Sequence, residues 1–363
     1  MVGKYCPILI FFFLDKKGFI FGAADLFSVA HFSLGQWIFI MVKAIALFSG
    51  GLDSILAAEL IRRQNIDVRC LTFTTPFFSA RKAEAAAKQV DLPLIVEDIT
   101  GIHLTMLKSP RYGYGKNMNP CIDCHTLMLQ IAGKKMDETG ADFILTGEVL
   151  GQRPMSQGRQ SLYVVAKNSG YADYILRPLS AQLLEPIPAE KDDKVDRSRL
   201  LAFQGKSRKN QIQLAADFGI SDYPAPAGGC LLTDQMFTIR LRDLFSHQED
   251  RQIRDIELLK YGRHFRVESG SKIIVGRNNA DNEELQRLST EDDLVLFTDD
   301  FPGPHVLVPY GAESALTTAA SLCVRYSDAP DNIEVKVICR HANAATTINA
   351  KAAKKEDCAR WII

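Results

Sequence analysis

From Val42 onward, short apolar runs of strand length alternate with amphipathic stretches of helical period. The runs predict strands, and the amphipathic stretches predict helices between them. Strands are predicted at 43–48, 68–73, 92–96 and 142–146, and helices at 53–64, 81–90 and 126–139. Buried strands that alternate with helices are typical of a parallel sheet covered on both faces, with ligands at the carboxyl ends of the strands. We therefore expect an α/β fold with a doubly wound parallel sheet.

The pattern changes after about residue 235. A long, charged amphipathic stretch covers 237–261, and a new strand is predicted at 272–275, followed by a helix rich in small residues at 314–323. These features predict a smaller C-terminal α+β domain. The expected organisation is an N-terminal extension at 1–40, an α/β domain at 41–235, a helical connector at 236–262 and the second domain at 263–358.

The first forty residues differ from the rest of the chain. The apolar run Ile8–Leu14 is broken at once by Asp15, Lys16 and Lys17, and Met41 opens a stretch that runs directly into the first predicted strand. The run is too short for a membrane span, and the charges that follow it are unlike a signal peptide. We expect residues 1–40 to be a mis-called upstream extension; a membrane-associating segment is the alternative.

Composition narrows the class of protein. The chain has 363 residues, of which 47% are hydrophobic and 24% charged, so it is neither disordered nor fibrous. Lys plus Arg (43) equals Asp plus Glu (43), so a polyanionic partner must be held by local basic clusters. Eight cysteines are too few for a secreted disulfide scaffold. We expect a cytoplasmic protein.

The sequence Ser49-Gly-Gly-Leu-Asp-Ser54 lies between the first predicted strand and the first predicted helix. Glycines let a backbone approach phosphate oxygens, and the helix N-terminus presents unpaired N–H groups to them. The loop lacks the lysine of a Walker motif. The alternative is an ordinary glycine turn with a helix cap.

This loop resembles that of the PP-loop ATP pyrophosphatases, which have the adenine nucleotide alpha hydrolase-like fold. The resemblance implies that ATP is split between its α and β phosphates and that an acceptor is adenylated. It further implies that the loop binds the pyrophosphate and that Asp53 holds Mg²⁺ or orients the phosphates. Phe73 is a candidate contact of the base, with a core position as the alternative, and Gly147 is a further candidate. The implied nucleotide-binding residues are Ser49, Gly50, Gly51, Asp53, Ser54, Phe73 and Gly147.

Three cysteines have a context that indicates chemistry. Cys121 and Cys124 form a CxxC pair just ahead of the predicted helix, and Cys230 follows two glycines. A CxxC pair binds metal, cycles as a dithiol or has only a structural role. His125 is adjacent to Cys124 and is therefore badly placed to share an ion with it.

The segment Asn119–Cys124, followed by Thr146–Gln152 and Ile175–Leu179, is similar to the tRNA thiolation branch of these enzymes, including the 4-thiouridine synthases and 2-thiouridylases. The resemblance implies an ATP-dependent tRNA sulfurtransferase that adenylates a uridine carbonyl oxygen and replaces it with sulfur. Asp53, Cys124 and Cys230 would be catalytic. In one version Cys121, Cys124 and Cys230 hold a [4Fe–4S] cluster. A persulfide pair of Cys124 and Cys230, zinc, or a structural role are the alternatives.

The implied cofactors are ATP, Mg²⁺ and the cluster. The implied partners are tRNA and a sulfur donor, either sulfide or a cysteine desulfurase, with no membrane; a homodimer is one candidate oligomeric state. Two other functions stay open. One is an ATP- and RNA-binding protein without thiolation activity, and the other is a PP-loop enzyme that adenylates a small molecule.

The C-terminal domain has its own motifs. Val275-Gly-Arg-Asn278 and Phe301-Pro-Gly-Pro-His-Val306 occur in the order and at the spacing that resemble the RNA-binding module of the NFACT proteins. The resemblance implies that Arg277 and Asn278 contact phosphates and base edges, and that His305 bonds to the backbone or stacks on a base. The alternative is a turn-rich α+β domain in which Arg277 is a surface charge and His305 a histidine whose hydrogen bonds are satisfied within the domain.

Overall fold

The structure is a computed structural model that describes residues 41–153, 155–225, 229–249 and 252–363. The prediction for residues 1–40 lies outside the described residues. The segment Val42–Ile363 forms one unit, and all of the elements below belong to it.

Five parallel strands form the first sheet, in the order β3-β2-β1-β4-β5. Their bounds are β1 Lys43–Leu47, β2 Asp67–Thr74, β3 Leu94–Asp98, β4 Phe143–Thr146 and β5 Ile175–Leu176. The strands β1 and β4 are largely buried, as their apolar sequences predict. The predicted parallel sheet is confirmed.

Helices cover both faces of this sheet. Their bounds are α1 Leu52–Arg62, α2 Arg81–Gln89, α3 Thr100–Lys108, α4 Cys121–Thr139, α5 Arg159–Ser169, α6 Pro188–Lys191 and α7 Lys209–Asp217. Residues of α1, α2 and α7 share one core, and residues of α4 and α5 pack in a second core on the other face. The sheet is therefore doubly wound, as predicted.

Helix α4 departs from its predicted start. It begins at Cys121 and not at residue 126, so Cys121 and Cys124 lie in its first turn. Pro120 precedes the first helical residue, where its missing N–H costs nothing. The predicted end is right, because Gly140 caps the helix in the left-handed conformation with φ of +63°.

The predicted connector is two helices, which lead into a six-stranded antiparallel sheet of order β11-β10-β8-β9-β7-β6. The helices of this half are α8 Gln235–His247, α9 Ile253–Leu258, α10 Asn279–Leu288, α11 Leu316–Arg325 and α12 Lys355–Trp361. The strands are β6 Arg263–Arg266, β7 Lys272–Val275, β8 Leu294–Thr298, β9 Val306–Val308, β10 Val335–His341 and β11 Ala344–Ala350. Helix α11 packs on one face of the sheet.

An apolar cluster joins α8 to the first domain. Phe237 and Leu241 of α8 pack with Phe77, Leu107 and other side chains of the α/β domain. The backbone just before α8 is held at the same place, because the N–H of Leu231 donates to the carbonyl of Phe77 at 3.0 Å. This packing brings the segment that contains Cys230 to the α/β domain.

Within the described part of the chain, no helix is both long enough and apolar enough to cross a membrane.

Candidate functional site

The Ser49–Ser54 loop leaves the carboxyl end of β1 and enters α1. Gly50 has φ of +70°, and a Cβ there would overlap the carbonyl of Lys82 in α2. The hydroxyl of Ser54 donates to the carbonyl of Gly51 at 2.8 Å. Gly51 is the N-cap of α1, and no side chain caps the helix. The free N–H groups of this turn can therefore bind an anion such as a phosphate.

Gly147 follows β4 and packs against the start of α1. A Cβ at this position would lie 2.5 Å from the backbone nitrogen of Ser54. Only glycine therefore lets the end of β4 come so close to the nucleotide loop. Its place beside the loop agrees with its choice as a candidate, and its direct contact with nucleotide stays a prediction.

The two oxygens of Asp53 have different surroundings. Oδ2 accepts a hydrogen bond of 2.7 Å from Nε2 of Gln152. Oδ1 is buried and has no partner among the described residues. Mg²⁺ prefers carboxylate and phosphate oxygens as ligands. An unpartnered carboxylate oxygen beside an anion-binding loop therefore fits a Mg²⁺ ion that also binds the nucleotide.

Phe73 lies in the core. Its side chain is 5% exposed and belongs to the core cluster that includes Ile45 of β1 and Leu71 of β2. Phe73 therefore occupies a core position, which was the alternative to a contact with the base. Its contact with the base stays a prediction.

Cys121, Cys124 and Cys230 are unpaired thiols that the fold brings together. Burial raises the pKa of Cys124, and the neighbouring Cys230 and Cys121 raise it further. Burial also raises the pKa of Cys230 to about 11, with a further contribution from Cys121. Cys230 thus lies close enough to the CxxC pair to interact with it electrostatically, although it is distant from that pair in sequence.

The metal sites that three thiols could form differ in how far apart their sulfur ligands lie. Among the described residues, no three His, Cys, Asp or Glu side chains are close enough to hold one ion. Zinc binds thiolates at about 2.3 Å, so its sulfur ligands lie within about 4 Å of one another. In a [4Fe–4S] cluster each cysteine binds a different iron, and the ligands stand further apart. A cluster, a persulfide pair, zinc and a structural role therefore all stay predictions for these thiols.

Sequence reasoning missed His103, which lies in the unpredicted helix α3. Its Nε2 is 3.6 Å from the sulfur of Cys124, and its ring packs against Phe77 and Phe78 with centroids 5.5 and 5.6 Å away. Burial lowers the pKa of His103 to about 4, so the ring is neutral at pH 7. No pattern in the sequence connects this histidine with Cys124.

A buried ionic network joins β4, β5 and α4. Oε2 of Glu148 accepts hydrogen bonds from Nε of Arg177 at 2.9 Å and from the hydroxyl of Thr146 at 3.1 Å. Oε1 is 3.1 Å from Nδ1 of His125, the residue after Cys124. Burial opposes ionisation, but the charge of Arg177 and the bond to His125 outweigh it and lower the pKa of Glu148 to about 2. The carboxylate is therefore charged at any physiological pH.

The segment 146–152 joins the two halves of the site. Gly147 packs against Ser54, and Gln152 binds Asp53, so both ends contact the nucleotide loop. Between them, Glu148 holds His125 in the helix that carries the cysteines. The motif segments that pointed to thiolation thus form the link between the nucleotide loop and the thiols.

In the C-terminal domain, the side chains of Arg277 and Asn278 have intramolecular partners, whereas the buried Nδ1 of His305 has none among the described residues. Nε of Arg277 is 2.6 Å from Oδ2 of Asp281. Asn278 is the N-cap of α10, and its Oδ1 accepts from the backbone N–H of Asp281 at 2.9 Å. The backbone N–H of His305 donates to Asn282 at 3.0 Å, and burial lowers the pKa of His305. Their contact with RNA stays a prediction.

Two further residues beside His305 were missed. The ring of Phe297 lies 5.8 Å from that of His305, and the guanidinium of Arg340 stacks over Phe297 at 4.7 Å. Both lie on the sheet face opposite α11, since their strand neighbours alternate into the core. An aromatic ring next to an arginine is the arrangement on which unpaired bases stack. The alternation of apolar and more polar residues at 294–298 and 335–341 is the sequence feature that could have revealed this face.

Curated relatives match part of the chain. A probable tRNA sulfurtransferase of Thermoanaerobacter sp. (strain X514) is 32% identical over 143 residues, which are 38% of this chain and 36% of the relative. The probable tRNA sulfurtransferase of Staphylococcus epidermidis is 29% identical over 143 residues, 38% of this chain and 34% of the relative. The match thus spans about a third of the length of these relatives.

Two solved structures are also similar to parts of the chain. A 4-thiouridine synthetase in complex with RNA and bound ATP shares 19% identity, covers 49% of this chain and 52% of its own, and has a TM-score of 0.32. The C-terminal part of a fibronectin/fibrinogen-binding protein from Streptococcus suis shares 16% identity, covers 42% and 60% respectively, and has a TM-score of 0.27.

Two family models match, one on each sheet. Residues 39–189 match the model of the thiamine biosynthesis protein (ThiI), and residues 262–362 match that of the NFACT protein RNA binding domain. The first match includes the nucleotide loop, the CxxC pair and the segment 146–152. The chain therefore contains one region similar to the ThiI model and a second region similar to the NFACT model.

Proposed function

We propose that this protein is an ATP-dependent tRNA sulfurtransferase, which adenylates a carbonyl oxygen of a uridine and replaces it with sulfur. The observation that carries the proposal is the position of the segment 146–152. At one end it contacts the Ser49–Ser54 loop, where Oδ1 of Asp53 has no partner among the described residues. Through Glu148 it also contacts the helix that carries Cys121 and Cys124. The names of the relatives support the substrate class. The free thiols suit a reducing compartment, so we place the protein in the cytoplasm.

In the proposed reaction, the uridine oxygen attacks the α-phosphorus of ATP, and the bond to pyrophosphate breaks. The backbone N–H groups of the Ser49–Ser54 loop bind the departing pyrophosphate. Asp53 would hold Mg²⁺, which neutralises phosphate charge. Sulfide sulfur then attacks the activated carbon, and AMP leaves with the uridine oxygen. AMP is needed because oxide is a poor leaving group.

We assign the sulfur site to Cys121, Cys124 and Cys230. Three thiolates would hold a [4Fe–4S] cluster, and the iron without a cysteine would bind the sulfide. The number of these thiols and their electrostatic proximity support this assignment, and a persulfide pair of Cys124 and Cys230, zinc, or a structural role are the other versions. Asn119 and His103 contact Cys121 and Cys124 and would orient them. The donor is sulfide or a cysteine desulfurase, and a homodimer would present two such sites.

We further propose that the C-terminal domain contributes to tRNA binding. Arg277, Asn278 and His305 are its candidate contacts. Phe297, which lies beside His305, and Arg340, which stacks over Phe297, are stronger candidates, because the side chains of Arg277 and Asn278 already have partners in their own turn. Part of this binding would be electrostatic and would weaken as salt rises.

The function is tested by mass spectrometry of tRNA nucleosides from a strain that lacks the gene, with plasmid-borne protein restored. We expect one thiouridine to disappear and to return with the wild type, but not with Asp53→Asn. Purified protein should release AMP from ATP only when tRNA is present. Unchanged thiouridine in the deletion strain would contradict thiolation and favour a binding protein. AMP release with a small acceptor and without tRNA would favour the small-molecule enzyme.

The three versions of the sulfur site are separated by metal analysis of anaerobically purified protein. A cluster predicts brown protein with close to four irons per chain, and Cys→Ser at 121, 124 or 230 should bleach it, because a hydroxyl is a poor ligand for iron. ATP binding should persist in each variant. Cys70→Ala, which changes a buried thiol of β2 away from the site, is the matched control and should stay brown.

A persulfide pair predicts colourless protein in which Cys121→Ser is nearly harmless, whereas Cys124→Ser and Cys230→Ser are inactive. Zinc predicts colourless protein with one tightly held metal. Colourless, metal-free protein whose Cys121→Ser variant still thiolates tRNA would end the cluster assignment.

A further inference from the structure

Two glutamines, Gln152 and Gln211, are linked to Asp53 by hydrogen bonds, and the proposed mechanism gives them no role. Gln152, from the segment 146–152, donates through Nε2 to Oδ2 of Asp53 at 2.7 Å. Gln211, from α7, donates through Nε2 to Oε1 of Gln152 at 3.1 Å. The three side chains form a chain of hydrogen bonds from α7 to the nucleotide loop.

Each amide in this chain has one usable orientation. A carboxylate only accepts hydrogen bonds, so Gln152 must turn its NH₂ to Asp53 and its oxygen to Gln211. Gln211 is 1% exposed, and its own Oε1 has no partner among the described residues. A buried polar atom without a partner is destabilising. Gln211 therefore keeps a buried, unpartnered oxygen while its Nε2 fixes the orientation of the Gln152 amide.

The backbone that carries Gln152 is also held. The carbonyl of Leu150 accepts from the N–H of Gly205 at 2.8 Å, and the N–H of Leu150 donates to the hydroxyl of Ser180 at 3.0 Å. Gly151 has φ of +78°, a conformation that favours glycine. The side chain of Gln152 therefore projects from an anchored turn.

We propose that Gln152, oriented by Gln211, is a positioning residue that occupies Oδ2 of Asp53 so that Oδ1 alone faces the divalent cation of the bound nucleotide. This inference rests on the proposed function, because it assumes that the loop binds ATP with a metal. Mg²⁺ requires near-octahedral geometry, so the direction of each ligand matters. Loss of a group that orients a metal ligand typically lowers metal affinity about 10–100-fold.

The test uses the full chain, with Mn²⁺ as the probe ion followed by electron paramagnetic resonance in the presence of ATP. We expect Gln152→Leu and Gln211→Leu to bind Mn²⁺ about 10–100-fold more weakly than the wild type. Their affinity for ATP in excess EDTA should stay unchanged. The double variant should be no weaker than Gln152→Leu alone, because Gln211 acts through Gln152.

Gln130→Leu is the matched control, since Nε2 of Gln130 also donates one bond within the domain, to the carbonyl of Asn168 at 3.2 Å. It should leave Mn²⁺ affinity unchanged. Wild-type Mn²⁺ affinity in Gln152→Leu would overturn this inference alone. Equal loss of ATP affinity with and without metal would also overturn it, as that result indicates only a structural role. A wild type that binds no ATP would overturn the proposed function as well.

Discussion

The Ser49–Ser54 loop and the Val275–Asn278 turn both join a strand to a helix through glycine, yet they use their polar groups in opposite ways. In the first, no side chain caps α1, and one oxygen of Asp53 has no partner among the described residues. In the second, Asn278 caps α10, and Arg277 is paired with Asp281. A motif that leaves polar groups unpaired is prepared for a ligand, whereas one that pairs them stabilises its own turn.

The same difference changes which residues of the C-terminal domain are the best candidates for RNA contact. Because the polar groups of the turn are largely occupied, the stacked pair of Phe297 and Arg340 is the better candidate for direct RNA contact. The turn would then position α10 and, through Asn282, the backbone of His305.

The largest effect is expected at Gly50. Replacing it with valine forces a Cβ into the carbonyl of Lys82 and a left-handed φ on a β-branched residue, so ATP binding should be abolished. Gly51→Ala should bind ATP with little change, since its φ is −81° and the nearest atom, Oγ of Ser49, is 3.4 Å away. Titration with a fluorescent ATP analogue measures both. Equal loss in the two variants would mean that the loop needs glycine for ligand approach alone.

The next largest effect concerns Glu148, whose polar atoms are fully paired. Glu148→Ala leaves Arg177 buried and unpaired, which should lower the free energy of unfolding by about 3–5 kcal/mol. Replacing both residues, as in Glu148→Gln with Arg177→Met, should cost less, because no uncompensated charge stays buried. Denaturant unfolding of the three proteins gives the comparison. A double variant less stable than Glu148→Ala would contradict this account.

The same carboxylate predicts a pH dependence. The folded pKa of Glu148 is about 2, below its ordinary value of 4.5, so its stabilisation is complete above pH 4.5 and is lost as the pH falls toward 2. The shift corresponds to about 3 kcal/mol. Thermal unfolding between pH 6 and 3 should fall less steeply in the Glu148→Gln, Arg177→Met double variant than in the wild type. Parallel curves would show that Glu148 does not contribute to acid sensitivity.

A smaller effect is expected on the exposed sheet face. Phe297→Ala should weaken RNA binding by about 1–3 kcal/mol, the typical worth of one stacked base. Arg340→Ala should weaken it too and reduce the salt slope by about one. Filter binding to tRNA at several salt concentrations measures both. Arg360→Ala, which removes one charge from α12 beside the opposite edge strand β6, should leave the affinity unchanged.

The smallest effect is expected at the turn. Asn278→Ala removes the N-cap of α10 and should lower the free energy of unfolding by about 1 kcal/mol, with RNA affinity nearly unchanged. Asn278→Asp keeps the cap and should restore stability. A large loss of RNA affinity in Asn278→Ala, with stability intact, would reverse the comparison and return the turn to the RNA site.

Features that depend on neighbouring residues could be predicted from the sequence. The alternation of apolar strands with amphipathic helices predicted the parallel sheet, and the six consecutive residues Ser49–Ser54 predicted a phosphate-binding loop, whose role stays a prediction. The helix that ends at Gly140 was equally readable, because a glycine in the left-handed conformation terminates a helix locally. Its start was placed five residues late, since Pro120 and the polar CxxC segment interrupt the apolar pattern used to find it.

Contacts between groups that are distant in sequence depend on the tertiary structure. The packing of α8 on Phe77 and Leu107 brings Cys230 to the CxxC pair, and α3 places His103 beside Cys124. Glu148 and Arg177 meet because β4 and β5 are adjacent in the sheet. Such contacts join segments far apart in the chain, and they depend on strand order and helix packing. No local periodicity records them, because a side chain's pattern reports which face is buried and not which partner covers it.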